Sequence, residues 1–335
     1  MARYLVVLIL SSASAFCQNP FSIRSYGFVE LISATRPSNS PDTINTRFGK
    51  LPLTDSHAKT VLSPAHSRFS LDGEASLWGG KVSGYLEADF LSGNPASPYR
   101  NRQYFGQYSS HGWEVSAGQM WSFLRPNRMG LNSRANLMNT YAVDPAYHVG
   151  LAGVRDRQVR VVHHGERWHA GVSMENGKDI LPKIARDGDR LHWEITGVVG
   201  RRGHHGISAA AVWKLNRHIS LMGQQYVARG GGVDALNTAG AETHASSTIG
   251  GIECQVRPNL RVFGYGGMVY ASRWNGNRDV REFTVGMSRI IAKDKIGEWI
   301  TAFQVSQLDR SQWTGGSGSM HLVMASLRHS FGQPR

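Results

Sequence analysis

The chain has 335 residues, with 37 Lys and Arg against 24 Asp and Glu and a formal net charge of +13. Arginine supplies 29 of the 37 basic residues, and its rigid guanidinium fork suits bidentate contacts with carboxylates or phosphates. The only cysteines, Cys17 and Cys254, exclude a disulfide framework, and beyond the N-terminus no apolar run is long enough for a transmembrane helix.

The first residues have the pattern of an export signal. Arg3 provides the positive charge, Tyr4 to Leu10 an apolar stretch, and Ala13-Ser-Ala15 a small-residue cleavage site. We predict a signal peptide over residues 1–15. Because Phe16 stands before Cys17 where a small residue would be needed, lipidation is not expected. Export also argues against nucleic acid as the partner of this basic chain.

Alternating apolar and polar residues dominate the rest of the chain, with the period of two that indicates β-strands. Seven short turns and eight mostly longer loops connect the segments, which is the plan of outer-membrane barrels. We predict an all-β fold, a closed antiparallel transmembrane β-barrel over residues 16–335. The approximate bounds of the sixteen segments are 23–34, 66–77, 80–91, 99–109, 111–122, 156–164, 167–175, 179–186, 190–200, 204–215, 217–228, 246–257, 259–271, 279–291, 295–307 and 319–331.

Two features of this pattern leave alternatives open. Segment 179–186 contains Pro182, so the count is fourteen or sixteen, and sixteen fits the alternation of turns and loops. In segment 80–91, Leu86 and Phe90 share one face while Glu87 and Asp89 share the other. A soluble sandwich would turn the apolar face inward. Sixteen such strands favour a barrel with the apolar face toward lipid.

Residues 123–155 separate two of the predicted strands. The segment contains Pro126 and Pro145 together with Arg125, Arg128, Arg134 and Arg155. Loops of this length without regular structure are uncommon in compact domains and are usually functional. We predict that this one folds into the barrel as a constriction loop.

Four carboxylates lie on one face of two strands joined by a tight turn: Asp72, Glu74, Glu87 and Asp89. A paired-carboxylate hydrolase and a calcium site are both conceivable. A pore wall whose carboxylates hold arginines is the interpretation we favour, because four unpaired carboxylates in one patch would repel one another.

Arginines on neighbouring strands could form a positive wall opposite this acidic patch. Arg100 and Arg102 share a strand face, and Arg160 lies on the strand after the long loop. Excess positive charge in a pore lowers the barrier for anions; the alternative is that these arginines sit at lipid headgroups. The predicted lining comprises Arg100, Arg102, Arg125, Arg128, Arg134, Arg155, Arg160, Asp72, Glu74, Glu87 and Asp89.

Other candidate motifs carry little chemistry. His163 and His164 are consecutive in a predicted strand and therefore point to opposite faces, so they cannot chelate one ion. The glycine-rich stretches 230–232 and 315–319 lack the strand-turn-helix context of a phosphate loop or a nucleophile elbow. We predict no catalytic residues, no metal and no cofactor.

Several motifs resemble the DcaP-like trimeric outer-membrane porins of acidobacterial type. They are Tyr26-Gly-Phe-Val-Glu30, Gly84 to Phe90, Gly118 to Ser122, Leu124 to Gly130, Tyr147 to Gly150 and Arg157 to Arg160. The resemblance implies a 16-stranded barrel that forms a homotrimer and passes small anionic solutes such as dicarboxylates.

Together these features predict a porin in the outer membrane of a Gram-negative bacterium. Small hydrophilic solutes would diffuse through it passively, with a preference for anions such as carboxylates. Its partners would be outer-membrane lipid, further copies of the chain and the solutes. The alternative is an outer-membrane barrel that acts as an adhesin or an enzyme through its external loops.

Overall fold

The computed structural model describes residues 21–41, 44–92, 98–134, 141–144, 148–200, 203–230, 244–272 and 276–332. The predicted signal peptide, Cys17 and Pro145 lie outside these ranges. One short 3-10 helix, Phe48–Lys50, accompanies the strands. The strands are β1 (Ser22–Pro37), β2 (Ala58–Ser63), β3 (Arg68–Leu77), β4 (Gly80–Asp89), β5 (Arg100–Ser110), β6 (Trp113–Trp121), β7 (Arg155–His164), β8 (Trp168–Glu175), β9 (Asp179–Asp187), β10 (Leu191–Val199), β11 (His205–Lys214), β12 (Ile219–Arg229), β13 (Ala245–Arg257), β14 (Leu260–Ala271), β15 (Asn277–Lys293), β16 (Gly297–Gln312) and β17 (Ser317–Phe331).

The strands form one antiparallel sheet that closes on itself through β1. One edge of β1 pairs with β17. Its other edge pairs with β2 over Ile32–Pro37 and with β3 over Ser22–Phe28. β2 and β3 are therefore two halves of one strand position, interrupted around Pro64, which has no backbone N–H to donate. The predicted sixteen-stranded barrel is confirmed.

Each of the sixteen predicted segments coincides with a strand, including β9 with Pro182. One boundary was wrong: residues 35–65 were expected to form a single loop. Instead β1 continues to Pro37 and β2 occupies Ala58–Ser63. The extra pairs, such as Thr35 with Thr60, raise this part of the wall on the loop side.

The two faces of the wall differ in polarity in the way that the sequence predicts. On β10, His192, Glu194 and Thr196 are buried, whereas Leu191 and Ile195 are exposed. The same pattern recurs around the barrel, so the large apolar side chains point outward, where a membrane barrel meets lipid. Among the described residues no helix is long and apolar enough to cross a membrane.

Chain segments from the loop side fold into the barrel. Ile44, Phe48 and Leu51, from the loop between β1 and β2, are buried in a cluster that includes Leu308 and Met320 on the inward faces of β16 and β17. Arg310 donates to the carbonyl of Leu51 at 2.6 Å. The sequence did not predict that this first loop also folds inward.

Candidate functional site

The segment between β6 and β7 begins with strong anchors on the inner wall. The backbone N–H of Phe123 donates to the buried carboxylate of Glu175 at 2.9 Å. The ammonium of Lys183, fully buried, donates to the carbonyls of Phe123 at 2.7 Å and Arg125 at 3.1 Å. It also pairs with Glu194 at 2.6 Å. One buried cation thus holds two loop carbonyls and one wall carboxylate together.

The next turn of this segment rests on carboxylates of β9 and β10. Glu194 accepts the backbone N–H of Asn127 at 3.3 Å, and Asp187 accepts that of Gly130 at 3.1 Å. His192 bridges the two carboxylates, at 2.6 Å from Asp187 and 3.3 Å from Glu194. Backbone N–H groups of the loop are therefore satisfied by wall side chains, as buried polar groups require.

The far half of the segment is attached to the opposite strands. Val149 donates its backbone N–H to Glu282 on β15 at 2.6 Å, and Ala152 donates to Gln224 on β12 at 2.9 Å. Gly150 lies so close to the carbonyl of Thr248 that a Cβ there would be 2.0 Å from its oxygen. Residues 123–155, so far as they are described, lie inside the barrel against its wall.

The predicted acidic patch exists, and arginines and one lysine occupy it. Arg24 pairs with Asp72 at 2.9 Å and with Glu74 at 3.1 Å. Arg134, from the inward segment, pairs with Asp72 at 2.5 Å. Lys81 pairs with Glu74 at 2.7 Å. The segment between β6 and β7 is thus tied to the acidic patch by one of the arginines that the sequence singled out.

The other two carboxylates of the patch are held by β5. Arg102 bridges Glu87 and Asp89, at 2.7 Å from each, and Arg100 pairs with Asp89 at 2.6 Å. Arg68, on β3, lies 3.5 Å from Glu87. All four carboxylates are therefore neutralised by cations, an arrangement suited to a wall rather than to a vacant calcium site or a pair of catalytic acids.

Within these ion pairs the guanidinium groups are the more accessible partners. Six arginines inside the barrel have side chains 22–41% exposed, whereas the carboxylates that they contact are 0–6% exposed, except Glu74 at 28%. In these pairs the positively charged group therefore stands nearer to solvent than the negatively charged group. The six are Arg24, Arg68, Arg100, Arg128, Arg134 and Arg328.

The remaining arginines of the predicted lining are buried or stacked. Arg125 is 3% exposed and lies over the ring of Trp121 at 4.7 Å. Arg160 is 2% exposed and donates to the carbonyl of Trp121 at 2.6 Å. Arg102 is 3% exposed, and Arg155 is half-buried over the same indole at 5.2 Å. Their contacts are those of side chains that hold the wall and the loop; a direct contact with solute stays a prediction.

Three accessible arginines were missed by the sequence analysis: Arg24, Arg68 and Arg328. Arg68 and Arg328 lie on either strand beside β1 and approach the ring of Phe28 at 5.2 Å and 4.2 Å. Arg328 also pairs with Glu30 at 2.9 Å. Alternation was the available signal, because Arg24 shares the inward face of its strand with Phe28 and Glu30.

Solved structures of similar fold were found, all at low sequence identity. The outer-membrane channel DcaP of Acinetobacter baumannii superposes with a TM-score of 0.79 at 17% identity, covering 93% of this chain and 97% of that one. The chain has the porin fold. An anion-selective porin from Comamonas acidovorans matches with a TM-score of 0.63 at 16% identity, over 93% and 100% of the two chains.

A third porin-fold match is the outer-membrane protein OmpT of Vibrio cholerae, with a TM-score of 0.61, 8% identity and 93% of this chain covered. No protein-family model matches the chain, and no similar curated protein was found. The resemblance to DcaP-like porins is confirmed at the level of the fold, while the acidobacterial type stays a prediction.

Proposed function

We propose that this protein is an outer-membrane porin through which small hydrophilic solutes diffuse passively, with a preference for anions such as carboxylates. The observation that carries the proposal is the layered charge inside the barrel. Six accessible guanidinium groups lie on the inward side of the wall, and all the carboxylates with which they pair except Glu74 are buried.

This layering favours anions for an electrostatic reason. The interaction of a charge with a passing ion falls with distance and with the dielectric constant of the intervening medium. A guanidinium that projects into the lumen is closer to the ion than the carboxylate behind it, so attraction for an anion exceeds repulsion. Rings of exposed arginine are a recognised basis of anion selectivity in pores.

The inward segment supplies the narrowing that such a filter needs. Arg128 pairs with Glu253 on β13, and Arg134 pairs with Asp72 on β3. The segment thus carries two of the accessible arginines between distant parts of the wall. We propose that residues 123–155 form the constriction and that solutes pass between this segment and the inward faces of β1 and β3–β5.

The membrane and the assembly belong to the same proposal. The porin fold and the apolar outer face support a location in the outer membrane of a Gram-negative bacterium, and the proposal includes removal of residues 1–15 as a signal peptide. The sequence resemblance to trimeric porins supports a homotrimer. Solute movement involves no covalent step, so the proposal assigns no catalytic residue.

Single-channel current of the purified protein in a planar bilayer under a KCl gradient tests the proposal. We expect conductance steps in groups of three and a reversal potential of the sign for chloride selectivity. Cation selectivity would overturn the anion preference and reassign the lining to the carboxylates. Folded protein without conductance would overturn the porin and favour an adhesin or an enzyme that acts through its loops.

A further inference from the structure

Two arginines flank one aromatic ring on the inner wall. Phe28 stands on the inward face of β1, and Arg68 of β3 lies directly beside it in the register of the sheet. The guanidinium carbon of Arg68 is 5.2 Å from the centroid of the Phe28 ring, and that of Arg328 on β17 is 4.2 Å from it. Both distances lie within the range of cation–π contacts. The ring therefore holds two like charges no farther apart than the sum of these distances.

The side chain of Arg68 has few partners for a half-buried cation. Its Nε is buried and has no hydrogen-bond partner among the residues that the structure describes. Within the same residues its one ion pair is long, at 3.5 Å to Oε2 of Glu87. Glu87 is already engaged, because Oε1 accepts from Arg102 at 2.7 Å and Oε2 accepts from the hydroxyl of Tyr85 at 3.2 Å. Since buried polar groups are normally paired, the N–H donors of Arg68 are available to a ligand.

Arg328 has unused donors as well. Its Nε and Nη2 both contact a single oxygen, Oε1 of Glu30, at 3.1 Å and 2.9 Å. Within the described part of the chain, Nη1 makes no hydrogen bond. The side chains of Arg68 and Arg328 are 27% and 24% exposed. Because both lie inside the barrel, their exposed portions face the lumen.

The ion pairs joined to these two arginines contain more cations than carboxylates. They link four arginines with three carboxylates, namely Arg68, Arg100, Arg102, Arg328, Glu30, Glu87 and Asp89. A further carboxylate, Asp144, is joined to them through the buried ring of His66, which lies 3.9 Å from Glu30 and 3.8 Å from Asp144. Next to the ring of Phe28, however, the accessible groups are the two guanidinium groups, while Glu30 and Glu87 are buried.

This arrangement suits a phosphate monoester better than a carboxylate. A phosphate monoester carries about −1.5 to −2 charges at neutral pH and has three strong acceptor oxygens. The planar fork of a guanidinium matches two such oxygens. One tetrahedral phosphate can therefore present two oxygens to Arg68 and the third to Arg328. A carboxylate has two oxygens, so filling the fork of one arginine leaves the other without a partner.

We propose that Arg68 and Arg328, held on the ring of Phe28, form a subsite in the lumen for the phosphate group of small phosphate monoesters. These solutes bind there in preference to carboxylates of equal charge. The subsite rests on the proposed function, because solutes reach these arginines through a conducting lumen. It adds a preference among anions that an excess of positive charge does not provide, since Coulombic attraction at a given distance depends on charge alone.

The test compares how small solutes block the KCl current of the full-length protein in a planar bilayer. The probes are glycerol phosphate, succinate and uncharged glycerol, used at about pH 8 because the second pKa of a phosphate monoester is about 6. We expect glycerol phosphate to halve the current at a concentration about tenfold lower than succinate, equivalent to about 1.4 kcal/mol. Glycerol should leave the current unchanged. Equal half-blocking concentrations of the two dianions, or no block by glycerol phosphate, would overturn the proposal.

Two variants separate the geometry of the subsite from its charge. Arg68→Lys keeps the positive charge but removes the planar fork, and Phe28→Leu removes the ring without changing any charge. In both we expect the tenfold difference between glycerol phosphate and succinate to disappear. Arg186→Lys is the matched control, because Arg186 lies over the ring of Trp168 at 5.5 Å on the outward face of β9. A wild-type difference in Arg68→Lys, or an equal loss in Arg186→Lys, would contradict the assignment.

Heat-dependent gel mobility shows that each variant is folded before its current is recorded. The reversal potential of the same channels separates the subsite from the proposed function. A chloride-selective channel that both dianions block equally would remove the subsite and leave the anion-preferring porin in place. A channel without anion preference would refute the proposed selectivity, and folded protein without conductance would refute both.

Discussion

Replacing Arg24 and Arg68 by glutamine tests the layered charge directly. Both side chains are accessible, and each carboxylate that they contact keeps another cation. Asp72 retains Arg134 at 2.5 Å, Glu74 retains Lys81 at 2.7 Å, and Glu87 retains Arg102 at 2.7 Å. The double variant should therefore fold, because no buried carboxylate loses its last cation.

The expected effect on selectivity follows from Coulomb's law. A guanidinium about 6 Å from a permeating ion in water changes the energy of that ion by roughly 0.7 kcal/mol. This corresponds to about a threefold change in permeability, in opposite directions for chloride and potassium. Each lost arginine would thus reduce the chloride-to-potassium ratio by up to about tenfold at low salt, and screening over roughly 10 Å reduces this at about 0.1 M.

The assay is the reversal potential of the purified double variant in a planar bilayer under a KCl gradient, at low and at high salt. We expect a combined decrease of about tenfold in the permeability ratio at about 0.1 M, and a smaller decrease at about 1 M. Arg289, an exposed arginine at the turn-side end of β15 opposite Leu260 and Thr301, lies on the outer face of the barrel. Arg289→Gln removes one positive charge there and should leave the ratio unchanged. A double variant with wild-type selectivity would refute the view that accessible guanidinium groups set the preference for anions.

Three further substitutions test how the inward segments are held. Lys183→Met leaves Glu194 buried without its ion pair, at a cost of about 3–5 kcal/mol. We expect faster protease cleavage of the loop and a noisier single-channel current. Adding Glu194→Gln to the same chain should partly restore both the protease resistance and the steady current. Gly150→Ala places a methyl group against the carbonyl of Thr248 at a φ of +89°, so the loop should be cleaved faster, and wild-type protection would contradict the close packing. Phe48→Ala empties a buried site at a cost of roughly 3–5 kcal/mol and should lower the unfolding temperature seen by heat-dependent gel mobility.

Most of the wall could be predicted, because residues that face lipid and residues that face the lumen alternate along every strand of a membrane barrel. Leu86 alternates with Glu87 and Asp89 on β4, and Phe90 follows directly after the strand; Glu87 and Asp89 are buried inside, whereas Phe90 is exposed. Period-two patterning depends only on strand geometry. The interruption at Pro64 could not be predicted in this way. β2 before the proline and β3 after it occupy one strand position beside β1, and local propensity does not indicate that two such segments belong together.

The site was less predictable, because accessibility depends on contacts between distant strands. Arg125 and Arg128 are three residues apart in the same loop. The first is buried against Trp121, and the second projects from its pair with Glu253. Nothing local distinguishes them. Arg328 was overlooked for the same reason, since its partner Glu30 is separated from it by 298 residues and becomes a neighbour only when β17 closes the barrel on β1.

The anchors of the segment between β6 and β7 have a consequence for the order of assembly. They extend from Asp72 on β3 to Glu282 on β15. Most of the strands must therefore have paired before this segment can dock against the inner wall. Until then its apolar residues, among them Leu131 and Leu151, have no inner wall to cover them. Contacts between residues so far apart in the chain form late and slowly. Docking of this segment inside the barrel would therefore be a late step in folding, after nearly all strands have paired.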